Sequence, residues 1–276
     1  MRLVLLSLLT MTAFAANSVL NRLALAPGEM DPILFAALRL ASGAGALGLM
    51  VVVRQGGAAF KKAFSPCGVA SLLAYIFGFS LAYGVLDPGF GALILFAVVQ
   101  ITMFAGAVIS RDRIPVARWI GAGLALGGLV WLLWPGQGVT VAVAPVLAMA
   151  LAGVGWGVYS LLGRGARDPL SATAANFLFA SPVALLLCWG AGQWSAPLGG
   201  ILLAILSGVV TSGLGYALWY RILPDLGASR AAVAQLSVPV IALAGGMVFL
   251  GEALTLRFTL AAALVILGVL ISLRKA

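Results

Sequence analysis

The chain has no histidine, only two cysteines (Cys67 and Cys188) and seven acidic residues among 276 positions. Each shortage removes a class of chemistry. No C-x-x-C or H-E-x-x-H pattern occurs, which excludes a structural zinc or a zinc-hydrolase centre, so no metal is expected. There is no P-loop, so ATP hydrolysis by this chain is not expected, and no cofactor is expected. An embedded lipid-modifying enzyme would need clustered acids or a nucleophile beside a base, and the sequence offers neither, so no catalytic residue is assigned. Two cysteines in separate apolar segments read as small packing residues rather than as a disulfide. Charged residues make up 8% of the chain, against roughly a quarter in a soluble domain. A water-soluble fold could not cover its surface with so few.

Apolar sequence fills the space that charge leaves. Hydrophobic residues account for 63% of the chain, and a helix crossing the hydrocarbon core needs about 20 of them in succession. Apolar runs broken by Gly, Pro and charge predict ten spans: Leu3–Leu25, Pro32–Val53, Pro66–Leu86, Gly89–Ile109, Pro115–Trp134, Val141–Gly163, Leu170–Trp189, Leu198–Tyr220, Ala228–Leu250 and Thr255–Leu273. Segments of this length in lipid must satisfy their own backbone, which makes them helices. Proline opens several of them, where a missing N–H costs nothing. The start imitates a signal peptide, with Ala13-Phe14-Ala15 as a mock cleavage site, but the apolar run continues to Leu25 and predicts a retained first helix.

The cations set the orientation. With the N-terminus inside, thirteen of the sixteen Lys and Arg fall on the cytoplasmic side, Arg22 and Arg257 fall outside, and Arg39 lies within a span. The positive-inside bias then places both termini in the cytoplasm of a multi-pass protein of the cell inner membrane. The net charge of +9 is no sign of nucleic acid, because the cations sit at segment ends and do not cluster with aromatics on one face. The expected partners are the lipid bilayer and a small solute, with the chain acting as a monomer or homodimer.

The sequence also repeats. Shifted by 140 residues, Val98 meets Val238, Gly106 meets Gly246, Asp112 meets Glu252, Leu124 meets Leu264 and Gly128 meets Gly268. Near the start of each half, Phe14-Ala15-Ala16-Asn17-Ser18 with Arg22 pairs with Trp156-Gly157-Val158-Tyr159-Ser160 with Arg164. Five spans per half is an odd number, so the copies, residues 1–137 and 138–276, have opposite orientation. Inverted repeats of this kind enclose a midplane site in secondary transporters.

Pro239 in an apolar run, Gly251-Glu252-Ala253-Leu254 at the following turn and a Gly-bearing last helix resemble the drug/metabolite transporter superfamily, in particular its ten-helix EamA-type members. Phe79, Ala82-Tyr83, Gly91-Ala92-Leu93 and Asp112 give the first-half equivalent, and Arg39 fits as well. The resemblance covers the whole chain and implies export or exchange of metabolites. The Phe14 and Trp156 positions are similar to those of the aromatic-amino-acid exporter group. The first half departs from the pattern: Gln100 stands one position from where Pro239 falls in the repeat, and Arg111-Asp112-Arg113 replaces Gly-Glu. The two halves are therefore expected to bend differently.

Polar groups at mid-span are costly unless they face a cavity or a partner. An amide both donates and accepts, which suits a zwitterion; interhelical hydrogen bonding is the competing use. The expected solute-binding residues are Phe14, Asn17, Tyr83, Gln100, Trp156, Tyr159, Asn176 and Tyr216. Ser18, Thr102, Gln235, Ser237, Tyr75 and Trp219 are further mid-span candidates, while Trp119, Trp131, Trp134, Trp189 and Trp194 read as an interfacial belt. Arg39 is expected to cap carbonyls or to snorkel to the outer surface, with a substrate carboxylate as the alternative. Gly153, Gly155 and Gly157 around Trp156 serve either close packing or backbone movement. No acid lies clearly mid-span, so facilitated diffusion, exchange or coupling through a group near a mouth is expected ahead of an intramembrane proton relay. The expected function is alternating-access export of a neutral or aromatic amino acid; drugs or other amphipathic metabolites are the alternative cargo.

Overall fold

A computed structural model of the chain describes residues 2–25, 28, 30–83, 85–86, 88–134, 143–192, 196–250 and 255–273. Glu29, Asp87, Trp194, the Gly251-Glu252-Ala253-Leu254 run, Arg274 and Lys275 lie outside the described residues, as does the side chain of Arg22. The helices are α1 (Arg2–Leu25), α2 (Pro32–Gln55), α3 (Ala58–Ala63), α4 (Pro66–Tyr83), α5 (Pro88–Ile109), α6 (Val116–Leu133), α7 (Val143–Gly163) and α8 (Pro169–Ala191). They continue as α9 (Leu198–Leu206), a π-helical segment (Ser207–Leu214), α10 (Gly215–Leu226), α11 (Ala228–Gln235), α12 (Val238–Leu250) and α13 (Leu256–Leu273). Seven helical stretches are long and apolar enough to cross a bilayer, and three shorter apolar ones, Ile94–Ile109, Val116–Leu132 and Thr259–Ser272, accompany them.

Local chemistry sets the ends of these helices. Both α2 and α8 open on Asp-Pro. Asp31 Oδ1 accepts from the N–H groups of Ile33 and Leu34 at 2.8 and 3.1 Å, and Asp168 Oδ1 from those of Leu170 and Ser171 at 3.1 and 3.3 Å. Each aspartate satisfies donors that would otherwise be orphaned, and the proline that follows fits the first turn. The α5–α6 turn departs from ordinary backbone at Arg111, whose φ of 56° lies in the left-handed region. The position aligns with Gly251 in the sequence repeat, and glycine takes such a conformation at no steric cost.

Among the described residues a helix falls within each stretch the sequence predicts, and two of them differ in kind. The eighth span is not a plain α-helix, because Ser207–Leu214 winds as a π-helix between α9 and α10. The ninth breaks at Leu236–Ser237, just ahead of Pro239, whereas α5 runs unbroken past Gln100. The proline supplies no N–H to the preceding turn and restricts the residue before it. The ninth stretch thus bends where the fourth does not.

The protein is apolar outside, and polar side chains are set into its apolar core. Leu49, Ile101, Ile109 and Leu186 are among many large aliphatic side chains left exposed, while Asn17, Arg39, Gln100, Asn176 and Gln235 are buried. Lipid permits that arrangement and water does not. Of the tryptophans read as an interfacial belt, Trp119, Trp131, Trp134 and Trp189 are exposed. In the interior α4 and α5 pack on α7, α2 packs on α8 and on the π segment, α1 packs on α9 to α12, and α6 pairs with α13. Small residues allow the closest approaches. Gly153 and Gly157 face Val98 and Thr102 on α5, and Gly155 faces the Ser71 carbonyl on α4, so the three glycines around Trp156 serve helix packing.

Candidate functional site

Six aromatic side chains from α1, α4, α7 and α10 converge in the middle of the bundle. Phe14 meets Trp156 edge-on at 5.2 Å between ring centroids and Tyr216 at 5.7 Å. Trp156 lies 4.8 Å from Tyr75 and 4.6 Å from Tyr216, and stacks on Tyr159 at 5.7 Å. Phe79 packs on Tyr75 at 5.5 Å. Such ring pairs each add about 0.5–1.5 kcal/mol beyond simple burial, so the cluster is a rigid wall. It encloses a cavity of about 20 Å³ bordered by Phe14, Asn17, Ser18, Tyr75, Phe79, Leu95, Phe96, Trp156, Tyr216 and Val238. That is room for little more than one water molecule.

Hydrogen bonds hold the wall in place. The Trp156 indole N–H donates to Gln235 Oε1 at 2.5 Å, and the Gln235 amide donates to Met103 Sδ at 3.1 Å. The break between α11 and α12 therefore sits directly against the tryptophan. Asn17 Oδ1 accepts from Ser207 Oγ at 2.5 Å and Thr211 Oγ1 at 3.1 Å. A π turn brings residues spaced by four and five onto one face, so Ser207, Thr211 and Ser212 all turn toward α1. Trp219 donates its indole N–H to Ser160 Oγ at 3.0 Å.

Arg39 lies behind this wall, fully buried. Its Nε donates to Ser212 Oγ at 2.7 Å and one terminal nitrogen donates to the Tyr216 hydroxyl. Its guanidinium carbon stands 5.7 Å from the Tyr75 ring centroid and 6.0 Å from that of Tyr216. The expected roles of snorkelling or capping carbonyls are both corrected. The side chain does not reach the surface, and its partners are hydroxyls and ring faces.

A second, larger cavity of about 580 Å³ opens between α2, α3 and the α7–α8 turn, with Gln55, Lys62, Arg167 and Asp168 near its rim and Asn176 and Tyr220 among its lining. The Tyr220 hydroxyl donates to the Tyr159 carbonyl at 3.0 Å, and the two rings lie 4.8 Å apart. A chain of rings, Tyr220, Tyr159 and then Trp156 with Tyr216, thus stands between this vestibule and the central cavity. At the rim Gln55 Nε2 donates to Asp168 Oδ2 at 2.6 Å, tying the end of α2 to the start of α8. Burial pushes the Asp168 carboxyl up, but bonds from the Ser171 hydroxyl, the Gln55 amide and the N–H groups of Ser171 and Leu170 outweigh it and hold the group below its ordinary value. A depressed carboxylate adds stability above its unfolded value and loses it as pH falls through the folded one. Asp168→Ala should therefore cost about 1 kcal/mol at neutral pH. Thermal unfolding in detergent at pH 7 and in the acid range should show the gap to wild type shrinking as pH falls.

The structure brings Phe14, Asn17, Trp156 and Tyr216 to one cavity, with Tyr159 stacked behind Trp156. Tyr83 lies one ring farther out, against Phe79 at 4.6 Å. Asn176 lines the vestibule instead, with Oδ1 unpartnered among the described residues. Gln100 is buried beside neither cavity, and both of its amide atoms lack a partner among the described residues. Sequence reasoning undervalued Gln235 and missed the serine and threonine face of the π segment. The crowding of small polar residues in Ser207-Gly208-Val209-Val210-Thr211-Ser212-Gly213 was the available signal.

Residues 143–274 match the model of the EamA-like transporter family. An uncharacterized protein of Pseudomonas aeruginosa is 43% identical over 273 residues, covering 97% of this chain and 92% of that one. An uncharacterized transporter of Archaeoglobus fulgidus is 26% identical, covering 89% and 90%. The uncharacterized transporter YwfM of Bacillus subtilis is 26% identical, covering 90% and 86%. A solved crystal structure superposes with a TM-score of 0.81 over 97% of each chain at 23% identity, a likeness of fold. Residues 143–274 thus belong to the EamA-like transporter family, and relatives named as transporters align over almost the whole chain.

Proposed function

We propose that this membrane transporter exports a small amphipathic metabolite, a neutral or aromatic amino acid, by alternating access of two inverted halves around the aromatic chamber. The observation that carries the reading is the meeting of Phe14 and Trp156, one from each half at matching positions of the repeat, over the central cavity. The packing pattern supports it. Exchanging the halves turns the α4–α7 contact into α1 with α9 to α10, and α5–α7 into α1–α12, while α2–α8 and α6–α13 map onto themselves. Glycine contacts follow the same exchange: Gly121 against Gly268 becomes Ala261 against Gly128. The vestibule then serves as the cytoplasmic mouth, in keeping with the cations around it, and the inner membrane with both termini in the cytoplasm is the setting we assign. Neutral drugs or other amphipathic metabolites are the second class of cargo that such walls would accept.

Counterflow of labelled L-phenylalanine or L-leucine into preloaded proteoliposomes tests this reading. Trp156→Phe, which removes the bond to Gln235 and trims the wall, should slow counterflow about tenfold. Trp131→Phe, on an exposed side chain, should leave it unchanged. Equal rates in the two variants, or no counterflow of any solute across a broad panel, would defeat the proposal.

A further inference from the structure

Arg39 is the only charged side chain among the buried polar residues described, and it is 0% exposed. Of its three nitrogens, Nε serves Ser212 and one terminal nitrogen serves Tyr216, while Nη1 has no acceptor among the described residues. The one ion pair among the described residues is Arg164 with Asp112 at 2.9 Å, far along the chain at the turns. A guanidinium stays protonated at any physiological pH, so burial cannot make it shed its charge. Buried charges are ordinarily paired. Here the surroundings are two tyrosine rings and two hydroxyls, which soften the charge without cancelling it. Both tyrosines, Tyr75 and Tyr216, border the central cavity.

An internal acid would occupy the guanidinium permanently. A cation with a spare donor, one ring away from a cavity and with no counter-ion among the described residues, is what a site needs if the counter-ion is the cargo. We propose that Arg39 is the receptor for a carboxylate on the transported solute. The carboxylate would take the terminal nitrogens in the two-pronged geometry that arginine favours, displacing the Tyr216 hydroxyl. Phe14, Phe79 and Trp156 would take the apolar remainder. The same charge repels hydrophobic cations that lack a carboxylate. This inference rests on the reading of the chamber as the solute site, and it adds the chemical class that the chamber selects.

The test uses matched solutes: L-phenylalanine against L-phenylalaninamide, and 3-phenylpropionate against 3-phenylpropionamide. Binding to purified protein is followed by tryptophan fluorescence and thermal shift, and transport by counterflow. In wild type the acids should bind about thirtyfold or more tighter than the amides, the scale of a buried charge-assisted pair. In Arg39→Met that gap should close. The unfolding temperature of Arg39→Met should stay level or rise, since a well-packed apolar group in place of a buried charge is often neutral or stabilising. An arginine that merely pins helices would lower it. Should Arg39→Met fail to fold, Tyr216→Phe serves instead, because it frees a donor and should tighten the acids and leave the amides unchanged. Equal binding of acid and amide in wild type, or an acid preference that survives Arg39→Met or fails to sharpen in Tyr216→Phe, overturns the carboxylate role. Amides that move through wild-type vesicles while acids do not would sink this role and leave the transporter reading intact; movement of neither member of any pair would remove both.

Discussion

Gly208→Val is expected to leave the protein unable to hold its native packing, with a loss of about 3 kcal/mol or more, the upper end of what overpacked cores show. Gly208 lies in the π segment where it crosses α2. A Cβ there would stand 2.2 Å from the Arg39 carbonyl oxygen and 2.1 Å from Ser42 Oγ. Ser42 could swing aside, but the carbonyl belongs to the backbone of α2. The opposite face is equally tight, because a Cβ on Gly43 would stand 2.7 Å from the Gly208 carbonyl and 2.7 Å from the Phe177 ring. Two backbones touch here, and a valine must part them. The parting would pull Ser212 away from Arg39 and Ser207 away from Asn17, leaving buried polar atoms unpaired at about 1–3 kcal/mol each. The measurement is the midpoint of thermal unfolding in detergent, together with monodispersity. A variant as stable and monodisperse as wild type would show that the π segment does not press on α2 as described.

The second large effect falls far from the chamber. Gly121 on α6 and Gly268 on α13 cross so closely that a Cβ on the first would meet the Gly268 carbonyl at 2.4 Å, and one on the second the Gly121 carbonyl at 2.5 Å. Without a hydrophobic drive between helices in lipid, this contact depends on close backbone approach and good packing. Gly268→Val should therefore cost about 3 kcal/mol, and the damage should be local to the α6–α13 pair. Gly123→Val, two residues along α6 on its opposite face, where nothing lies within 4 Å, is the control and should fall within about 0.5 kcal/mol of wild type. Similar unfolding midpoints for the two variants would contradict the packing at Gly268.

Much of this was legible in the sequence because lipid imposes a simple rule on long apolar segments. Runs of span length gave the helices, and the prolines that open several of them, as at Pro32 and Pro66, marked their starts. Phe14 and Trp156 were legible as mid-span aromatics, and their meeting was not. Arg39 was misread for a physical reason. Spacing places it inside a span, but snorkelling depends on whether the stem points to the surface or to the bundle, and that is a property of the α2–π packing. Asn176 and Gln100 had the same weight as mid-span amides, yet one lines the vestibule and the other lies beside neither cavity. A single residue's rotation about its helix decides such matters, and aliphatic residues on all sides of these helices leave little periodicity from which to read it. The break before Pro239 could be anticipated, whereas the π turn depends on hydrogen bonds from residues 190 or more positions away, such as Ser207 to Asn17.

The wide turn at Ser207–Leu214 also sets the rotational phase of everything after it. An α-helix advances about 100° per residue and a π turn takes up about one residue more, so rewinding all eight residues as an α-helix would twist α10 through roughly that angle. Tyr216 and Trp219 would swing from the interior toward the acyl chains, and the exposed Leu214 would swing inward. Removing one residue with the rewinding would restore the phase, so a one-residue gap in this stretch between two related chains would count as loss of the wide turn and not as a change of lining.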